Sequence, residues 1–472
     1  MAGDQEKKAF GPLHVVVFPW LAFGHLIPFL ELSKRLARRG HAVTFVSTPR
    51  NVARLPPVPA SLSDRVRLVS LPPPVVDGLP EGAESTADVP PEKVELLKVA
   101  FDGLAAPFAD FLAAACAGDR SGTGVESRPD WIVLDFAHHW LCPIADQHQN
   151  YLHKVPCAMF LIVTATLYAN HGPREANAAH PRVTAQDLMP MPPWFPFPSS
   201  SLAFRRHEAD WIAGIYRPNA SAVSDMDRIW RTVERCRLLL FRSCPELEPR
   251  LFPLLTDLYG KPAVPAGLLL PEQDDDAIAA ARPSDALRWL DAQPPGSVLY
   301  VALGSEAPIT AEGVRELAAE LELSGARFLW ALRRPGAGAG TGAGTPPPLP
   351  DGFEAVCTAV RAFLTHCGWG SVAESLASGL PLVMLPFVVD QGLIARMMAD
   401  RGVGVEVPRR DDGSFGGGDV AAAVRRVMVE EGEALASNAR MLRAVVAGDD
   451  GARQERYVDE LVGWLHRSIR CP

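Results

Sequence analysis

The sequence contains few cysteines, and their positions follow no recognisable motif. Eight occur in 472 residues, and none belongs to a CxxC pair or to a cluster with the spacing of zinc ligands. This absence argues against a structural zinc site and against the disulfide framework of a small secreted domain. We therefore expect reduced thiols, a cytoplasmic protein and no bound metal. The cysteines are Cys116, Cys142, Cys157, Cys236, Cys244, Cys357, Cys367 and Cys471.

An excess of basic residues and long apolar runs are also absent. The formal net charge of −9 argues against nucleic acid as a partner, because the phosphate backbone is bound by patches of lysine and arginine. The apolar runs have only the length of a strand, so no membrane span is predicted. The N-terminus, MAGDQEKKAFGP, is charged and polar and lacks the apolar core of a signal peptide.

The chain does contain an alternation of apolar strands and amphipathic helices. Its length predicts two or three domains at about 100–200 residues each. Strands with apolar residues on both faces are typical of a parallel sheet covered by helices, so the first half is predicted to be a doubly wound α/β domain. The predicted strands of this half are residues 14–18, 42–46, 131–134, 156–163 and, as the last one, 238–241, with a helix at 27–38.

A second series of strands and helices follows a looser stretch rich in proline and aspartate. The fold class is therefore predicted to be α/β, with two facing doubly wound, Rossmann-like domains. We assign residues 1–258 to the first domain, 259–453 to the second and 454–472 to a C-terminal helix. The predicted strands of the second domain are residues 298–303, 328–332, 360–364 and 382–385.

Residues 335–350, PGAGAGTGAGTPPPLP, have low complexity and predict a disordered surface loop. The alternative is a glycine-rich phosphate loop. Neither the GxGxxG nor the Walker spacing follows a strand here, which argues against that alternative.

The stretch 363–391, FLTHCGWGSVAESLASGLPLVMLPFVVDQ, carries the most information. It predicts a strand, a glycine turn, a short helix and a second strand. The backbone amides of Trp369, Gly370 and Ser371 would be unpaired donors at the helix N-terminus, where a phosphate group is favoured.

Three polar side chains could complete this site. Glu374 is the one acid on the short helix and could accept hydrogen bonds from two neighbouring sugar hydroxyls. Asp390 and Gln391 follow the next strand, where an open α/β sheet places its ligand crevice. The competing interpretation is an ordinary strand, turn and helix with incidental polar residues.

A second candidate group lies near the N-terminus. His25 follows the first strand in PWLAFGHLIP and could take a proton from a hydroxyl, although its position fits a helix-capping or buried histidine equally well. Asp135 ends a strand of the same predicted sheet and could stabilise the cation that His25 would become, or it could cap the next helix in solvent. His138 and His139 could line an acceptor pocket or lie exposed on a helix.

The stretch 363–391 resembles the C-terminal two-thirds of the signature box of plant secondary-product UDP-sugar glycosyltransferases. HCGW, Ser371, Glu374 and the terminal Asp-Gln pair are in register, and the 24 positions from His366 to Asp390 match the family spacing. PWLAFGHLIPFLELSKRLARRGHAVTFVSTPRN and WLDAQPPGSVLYVALGSE extend the resemblance over nearly the whole chain. They are similar to the branch that often extends existing sugars on glycosides.

The resemblance implies a GT-B fold whose C-terminal helix packs back on the first domain. It also implies inverting transfer of a sugar, with His25 as the general base and Asp135 as its partner, and with no cofactor and no metal. UDP-glucose would be the donor substrate, which Gln391 favours. The acceptor would be a flavonoid, a terpenoid or a glycoside, and the protein would be a monomer. The donor-binding residues implied are Ser305, His366, Trp369, Gly370, Ser371, Glu374, Asp390 and Gln391.

The chain departs from the family pattern in three places. The family box begins with a tryptophan that stacks on uracil, and this chain has Pro348 there. About two dozen residues, including a strand and the base-binding loop, are missing before Arg361. Since stacking is worth ~1–3 kcal/mol per base, donor binding would weaken by about one to two orders of magnitude. Gly370 stands where the family usually has asparagine, and residues 146–154 are longer than the family's connection.

The sequence is also compatible with two alternative interpretations. A degenerate family member would fold without transferring sugar. A nucleotide-dependent oxidoreductase would carry a glycine fingerprint after the first strand, where this chain has FPWLAFGH instead.

Overall fold

The structure is a computed structural model of the full chain. It describes residues 11–117, 128–147, 154–197, 202–271, 284–304, 307–332, 358–448 and 452–470. The predicted disordered loop at 335–350, Pro348 and Ser305 lie outside the described residues.

The first domain is built on a sheet of seven parallel strands in the order β3-β2-β1-β4-β5-β6-β7. The first six follow the doubly wound order of a dinucleotide-binding fold. Side chains of β1 alternate between two cores, with Val16 and Phe18 on one face and Val15 and Val17 on the other. The strands are β1 (His14–Phe18), β2 (Ala42–Ser47), β3 (Val66–Ser70), β4 (Trp131–Leu134), β5 (Cys157–Leu161), β6 (Leu238–Phe241) and β7 (Ala263–Pro265).

The second domain has a five-stranded parallel sheet in the order β12-β11-β10-β8-β9. The same doubly wound order would place one more strand beside β9, and no such strand exists among the described residues. Its place in the chain falls within the stretch before Arg361 where the sequence indicates a deletion. The strands are β8 (Val298–Ala302), β9 (Arg327–Trp330), β10 (Val360–Thr365), β11 (Leu382–Met384) and β12 (Gly404–Glu406).

Helices cover both faces of the two sheets, with a π-helical turn at Arg426–Glu430. The helices are α1 (Phe23–Arg38), α2 (Pro49–Arg54), α3 (Val94–Asp102), α4 (Ala105–Ala117), α5 (Leu141–Gln147), α6 (Ala165–His171), α7 (Arg174–Ala179), α8 (Ala185–Leu188), α9 (Arg206–Gly214), α10 (Asp225–Arg235), α11 (Leu251–Tyr259), α12 (Asp285–Asp291), α13 (Ala311–Ser324), α14 (Trp369–Ser378), α15 (Gln391–Asp400), α16 (Asp419–Arg425), α17 (Gly432–Ala447) and α18 (Ala452–Arg470).

The predicted fold class is confirmed, but three strands were missed. Strands β3, β7 and β12 lie at sheet edges, where one side of the backbone is unpaired and the apolar signal is weak. The prediction that 238–241 is the last strand of its half is wrong, because β7 pairs with β6 in register Leu239 to Ala263. A domain boundary at residue 258 therefore separates β7 from the sheet to which it belongs.

The last helix lies against the first domain. The Trp131 indole donates to the Leu465 carbonyl at 3.1 Å, and Arg39 pairs with Asp459 at 2.5 Å. Val458 is fully buried in a core cluster of the first domain. Helix α18 therefore returns the chain to the domain in which it began.

One stretch, Pro91–Ala117, is long and apolar enough to cross a membrane by length and composition alone. The structure divides it into α3 and α4, and Phe101 and Phe108 from these helices are fully buried in the first core. Such a buried core helix passes the same test as a membrane span, so the match is weak evidence for one.

Candidate functional site

The carboxyl ends of the two sheets meet in one crevice. Trp369, which begins α14 after β10, donates its indole N–H to the carbonyl of Arg242 at 2.5 Å, directly after β6. Asp390, which follows β11, accepts from the backbone amide of Thr164 at 3.5 Å, just after β5. Parallel strands place their ligands at this edge, so the crevice is the expected binding site of the fold.

His25 and Asp135 are in direct contact on the first-domain side of the crevice. The Nδ1 atom of His25 lies 2.7 Å from Oδ2 of Asp135, and the exposed fractions of the two side chains are 19% and 2%. Asp135 also accepts from the backbone amides of Trp20 and Phe136. These contacts fix the orientation of both side chains.

The ionisation of Asp135 suits this pairing. Burial alone would raise its pKa, but the charge of His25 and hydrogen bonds from His25 and Trp20 bring the pKa below the usual value. The carboxylate is therefore ionised at neutral pH and favours the tautomer in which Nδ1 of His25 carries the proton. That tautomer leaves Nε2 as the basic nitrogen.

The pair of His25 and Asp135 lies close to the contact between the domains. Asp135 follows β4, and Thr164 follows β5, the neighbouring strand. Adjacent strands are about 4.8 Å apart. The Asp135 carboxylate and the loop that contacts Asp390 therefore stand side by side at one edge of the sheet.

His366 is enclosed between two glycines. A Cβ atom at Gly304 would lie 2.6 Å from Cε1 of His366, and one at Gly368 would come even closer to the ring. Burial lowers the pKa of His366 to about 4, so the ring is neutral at physiological pH. Its Nδ1 has no hydrogen-bond partner among the described residues. The absence of a side chain at Gly368 therefore makes room for the imidazole of His366.

This packing predicts a large effect of a single methyl group. We expect Gly368→Ala to lower the free energy of unfolding by about 1–3 kcal/mol, because overpacking forces the His366 ring to shift. Gly214→Ala is the matched control, since no atom lies within 4 Å of the added methyl. Urea denaturation of both variants tests this, and equal stability of the two would contradict the enclosure of His366.

Two non-glycine residues with left-handed backbone flank the candidate donor-binding residues. Cys367 has a φ of +65° and Val389 a φ of +58°. Such a φ is rare for a β-branched residue and costs of order 1–3 kcal/mol, and it concentrates at functional sites. These turns direct the chain into α14 and α15 at the crevice.

Helix α14 presents its N-terminus to the crevice. The indole of Trp369 is buried against Arg242, so only its backbone amide remains for a ligand. Ser371 is half-buried in the first turn, and Glu374 is half-buried in the second. The negative charge of Glu374 acts on Arg242 and on Tyr300.

Asp390 and Gln391 are both buried at the start of α15. Burial raises the pKa of Asp390 to about 6. The amide oxygen of Gln391 accepts from the backbone of Phe387 at 2.8 Å and of Val388 at 3.0 Å. Only the amide nitrogen of Gln391 is therefore left to contact a sugar.

Comparison with known proteins identifies the family. Residues 263–445 match the model of the family "UDP-glucoronosyl and UDP-glucosyl transferase". Over 96% of both chains the sequence is 38% identical to UDP-glycosyltransferase 91C1 of Arabidopsis thaliana. The chain belongs to the plant UDP-glycosyltransferases. It is also 39% identical to UDP-glycosyltransferase 91D1 of Stevia rebaudiana, over 99% of this chain and 94% of that one, and 33% identical to soyasaponin III rhamnosyltransferase of Glycine max, over 97% and 96%.

Solved structures of other plant UDP-glycosyltransferases share the fold. UGT73P12 of Glycyrrhiza uralensis, complexed with glycyrrhetinic acid 3-O-monoglucuronide, superposes with a TM-score of 0.76 at 22% identity, covering 98% of this chain and 96% of that one. UGT89C1 of Arabidopsis thaliana, complexed with quercetin, has a TM-score of 0.70 at 24% identity, covering 96% and 100%. The predicted family and the GT-B fold are thereby confirmed.

Two further histidines of the first domain lie differently from what the sequence suggested. His138 is fully buried and packs edge-on against Phe18 and Phe101, with ring centroids 4.7 and 4.8 Å away. Burial lowers its pKa to about 3. His139 is half-buried beside Arg228. His138 therefore neither lines a pocket nor lies exposed, and it supports the turn that carries Asp135.

The sequence did not predict two ion pairs that join the domains next to the candidate sugar site. These pairs, Glu208 with Arg396 and Arg205 with Glu406, are called the inter-domain clamp below. Glu208, on α9 of the first domain, forms two hydrogen bonds of 2.8 Å with Arg396 on α15. Arg205 pairs with Glu406 of β12 at 2.5 and 2.6 Å. The Glu208 carboxylate occupies the space where a Cβ of Gly392 would be. Charged residues on an amphipathic helix resemble an ordinary solvated face, so no local pattern indicates this role.

Three of the cysteines lie together in the first core. Cys142, Cys157 and Cys236 are separated in sequence, yet all three are buried in the same core cluster of the first domain. The described cysteines are all free thiols. Within the described ranges, no group of three or more His, Cys, Asp or Glu side chains could hold a metal ion.

Proposed function

We propose that this chain transfers a sugar from a UDP-sugar to a hydroxyl of a small plant metabolite or of its glycoside, with inversion at the anomeric carbon. The observation that carries the proposal is the 2.7 Å contact between His25 and Asp135 at the carboxyl edge of the first sheet. Membership of the UDP-glycosyltransferase family supports the reaction class.

The proposed mechanism uses His25 as general base. Its Nε2 takes the proton from the acceptor hydroxyl while Asp135 stabilises the imidazolium that forms. The acceptor oxygen then attacks the anomeric carbon from the face opposite UDP, forming the new glycosidic bond as the bond to the diphosphate breaks. Amides at the N-terminus of α14 stabilise the charge that develops on the leaving diphosphate.

Individual donor-binding roles are part of the same proposal. The backbone amides of Trp369, Gly370 and Ser371 would hold the diphosphate, and Glu374 would accept from the ribose hydroxyls. The remaining assignments are His366 and Ser305 near the diphosphate and Asp390 and Gln391 at the transferred sugar.

We propose glucose as the sugar, on the basis of Gln391. A competing sugar is rhamnose, because soyasaponin III rhamnosyltransferase is a 33% identical relative. For the acceptor we propose a flavonoid, a terpenoid or a glycoside, and for the protein a cytoplasmic monomer. The described cysteines, all free thiols, support a reducing compartment.

The test combines UDP binding with turnover. Calorimetric titration with UDP should give saturable binding, and incubation with UDP-glucose or UDP-rhamnose and a panel of flavonoid, terpenoid and glycoside acceptors should release UDP. Faster release with UDP-rhamnose would overturn the choice of glucose. Binding without release for any pair would indicate a degenerate member, and absence of UDP binding would refute the donor site itself.

A further inference from the structure

We propose that Arg242 is a donor-binding residue whose guanidinium contacts the diphosphate of the UDP-sugar beside Gly370. The inference rests on the proposed function and adds to it a cation that neither the signature box nor the catalytic pair contains. Arg242 comes from the first domain, whereas the amides that hold the diphosphate come from the second.

The position of Arg242 is fixed by three contacts at the crevice. Its backbone amide donates to the carbonyl of Leu161 at 2.8 Å, extending the pairing of β5 and β6. Its carbonyl accepts the indole N–H of Trp369. Its Nε donates to the carbonyl of Leu268 at 2.7 Å. The guanidinium is therefore held between β6 and the first turn of α14.

The Nη1 atom of Arg242 lies beside that turn. A Cβ atom added to Gly370 would lie 3.5 Å from Nη1 of Arg242. From bond lengths and angles, Nη1 then lies at most about 6 Å from the amide nitrogen of Gly370. One phosphate oxygen that accepts from two N–H donors at about 2.9 Å each spans a comparable distance. A single phosphate group can therefore contact both donors.

The charge of Arg242 lacks a counterion within the part of the chain that the structure describes. The residue is 3% exposed, and it forms no ion pair with any described carboxylate. Burial lowers its pKa to about 10, only partly opposed by the charge of Glu374. A buried, unneutralised guanidinium is costly, so an incoming diphosphate would supply the missing negative charge.

Gly370 makes room for this arrangement. A Cβ at this position would already be in van der Waals contact with Nη1 of Arg242, so glycine leaves the space beside the guanidinium free of any side chain of its own. The family resemblance places asparagine at this position. The glycine and the buried arginine therefore form a matched pair in this chain.

The deciding experiment is the variant Arg242→Met, studied without and with UDP. We expect UDP affinity to fall about 10- to 100-fold, as for the loss of a hydrogen bond to a charged group, while the affinity for uridine stays unchanged. The unfolding temperature of the free protein should stay the same or rise, because replacing an unpaired buried charge by an apolar side chain is neutral or stabilising. Arg242→Lys, which keeps the charge, should restore part of the UDP affinity.

Arg35→Met is the matched control. Arg35 is also buried and donates to the carbonyl of Leu270 at 3.1 Å, two residues after Leu268, the acceptor of Arg242. A purely structural role in holding this segment therefore predicts similar behaviour of both variants. Unchanged UDP affinity in Arg242→Met, an equal loss in Arg35→Met, or a lower unfolding temperature with loss of UDP and uridine alike would overturn the inference. Failure of the unaltered protein to bind UDP would instead refute the proposed function.

Discussion

Replacing His25 by alanine is expected to abolish sugar transfer and leave UDP affinity nearly unchanged. The imidazole pairs with Asp135 at 2.7 Å on the acceptor side of the crevice, whereas the diphosphate is assigned to α14. General-base catalysis contributes about 100- to 10,000-fold, so kcat should fall within that range or below detection. UDP release and calorimetric titration, performed on the same preparation, measure the two quantities separately.

His180→Ala is the control for the loss of a histidine, because His180 lies exposed at the end of α7. Its transfer rate and UDP affinity should match those of the unaltered protein. Transfer by His25→Ala at a comparable rate would remove His25 from the mechanism. A parallel loss of UDP affinity would show that the variant disturbs the donor site as well.

Replacing Glu208 by glutamine is expected to loosen the two domains and reduce kcat/KM by about one to two orders of magnitude. The change replaces the buried carboxylate that pairs with Arg396 by a neutral amide, and breaking a buried pair costs about 3–5 kcal/mol. Although burial alone would raise the pKa of Glu208, hydrogen bonds and the charge of Arg396 hold it below its usual value of 4.5. The ion pair is therefore intact at neutral pH and is lost only in acid, as the carboxylate is protonated.

The clamp is tested by small-angle scattering and by kinetics. The radius of gyration of Glu208→Gln should exceed that of the unaltered protein in the absence of donor. Asp210→Asn is the matched control, since Asp210 lies on the same helix and forms an exposed pair with Arg206 at 2.9 Å. Such exposed pairs contribute about 0–1 kcal/mol. Identical scattering of the two variants, with equal kcat/KM, would refute the clamp.

The central strands of both sheets could be predicted because their signal is local. Strands β1, β4 and β6 begin and end at the predicted residues, since a strand buried on both faces is apolar throughout. The edge strands β3, β7 and β12 could not be found in this way. β7 contains only three residues and ends in Pro265, and its place in the sheet depends on pairing with β6 rather than on its own sequence.

The signature box could be located because its residues lie within one stretch of chain, 363–391, with fixed spacing. The sequence did not show which other residues the side chains of this stretch contact. The indole of Trp369 donates to the carbonyl of Arg242, and the side-chain oxygen of Gln391 accepts from the backbone of its own loop. Both facts depend on neighbours that fold against the box, so the motif alone could not show them.

By itself, the sequence determined the fold class, the family and the two ends of the crevice, because periodicity, glycine turns and motif spacing are properties of consecutive residues. Only the tertiary structure decided which side chains of the two domains contact each other across the crevice. The pairing of Glu208 with Arg396 joins residues that are 188 positions apart and belong to different domains. Arg242 and Gly370 likewise come from different domains. Such contacts are set by how two sheets dock, and no local pattern in the chain encodes that geometry.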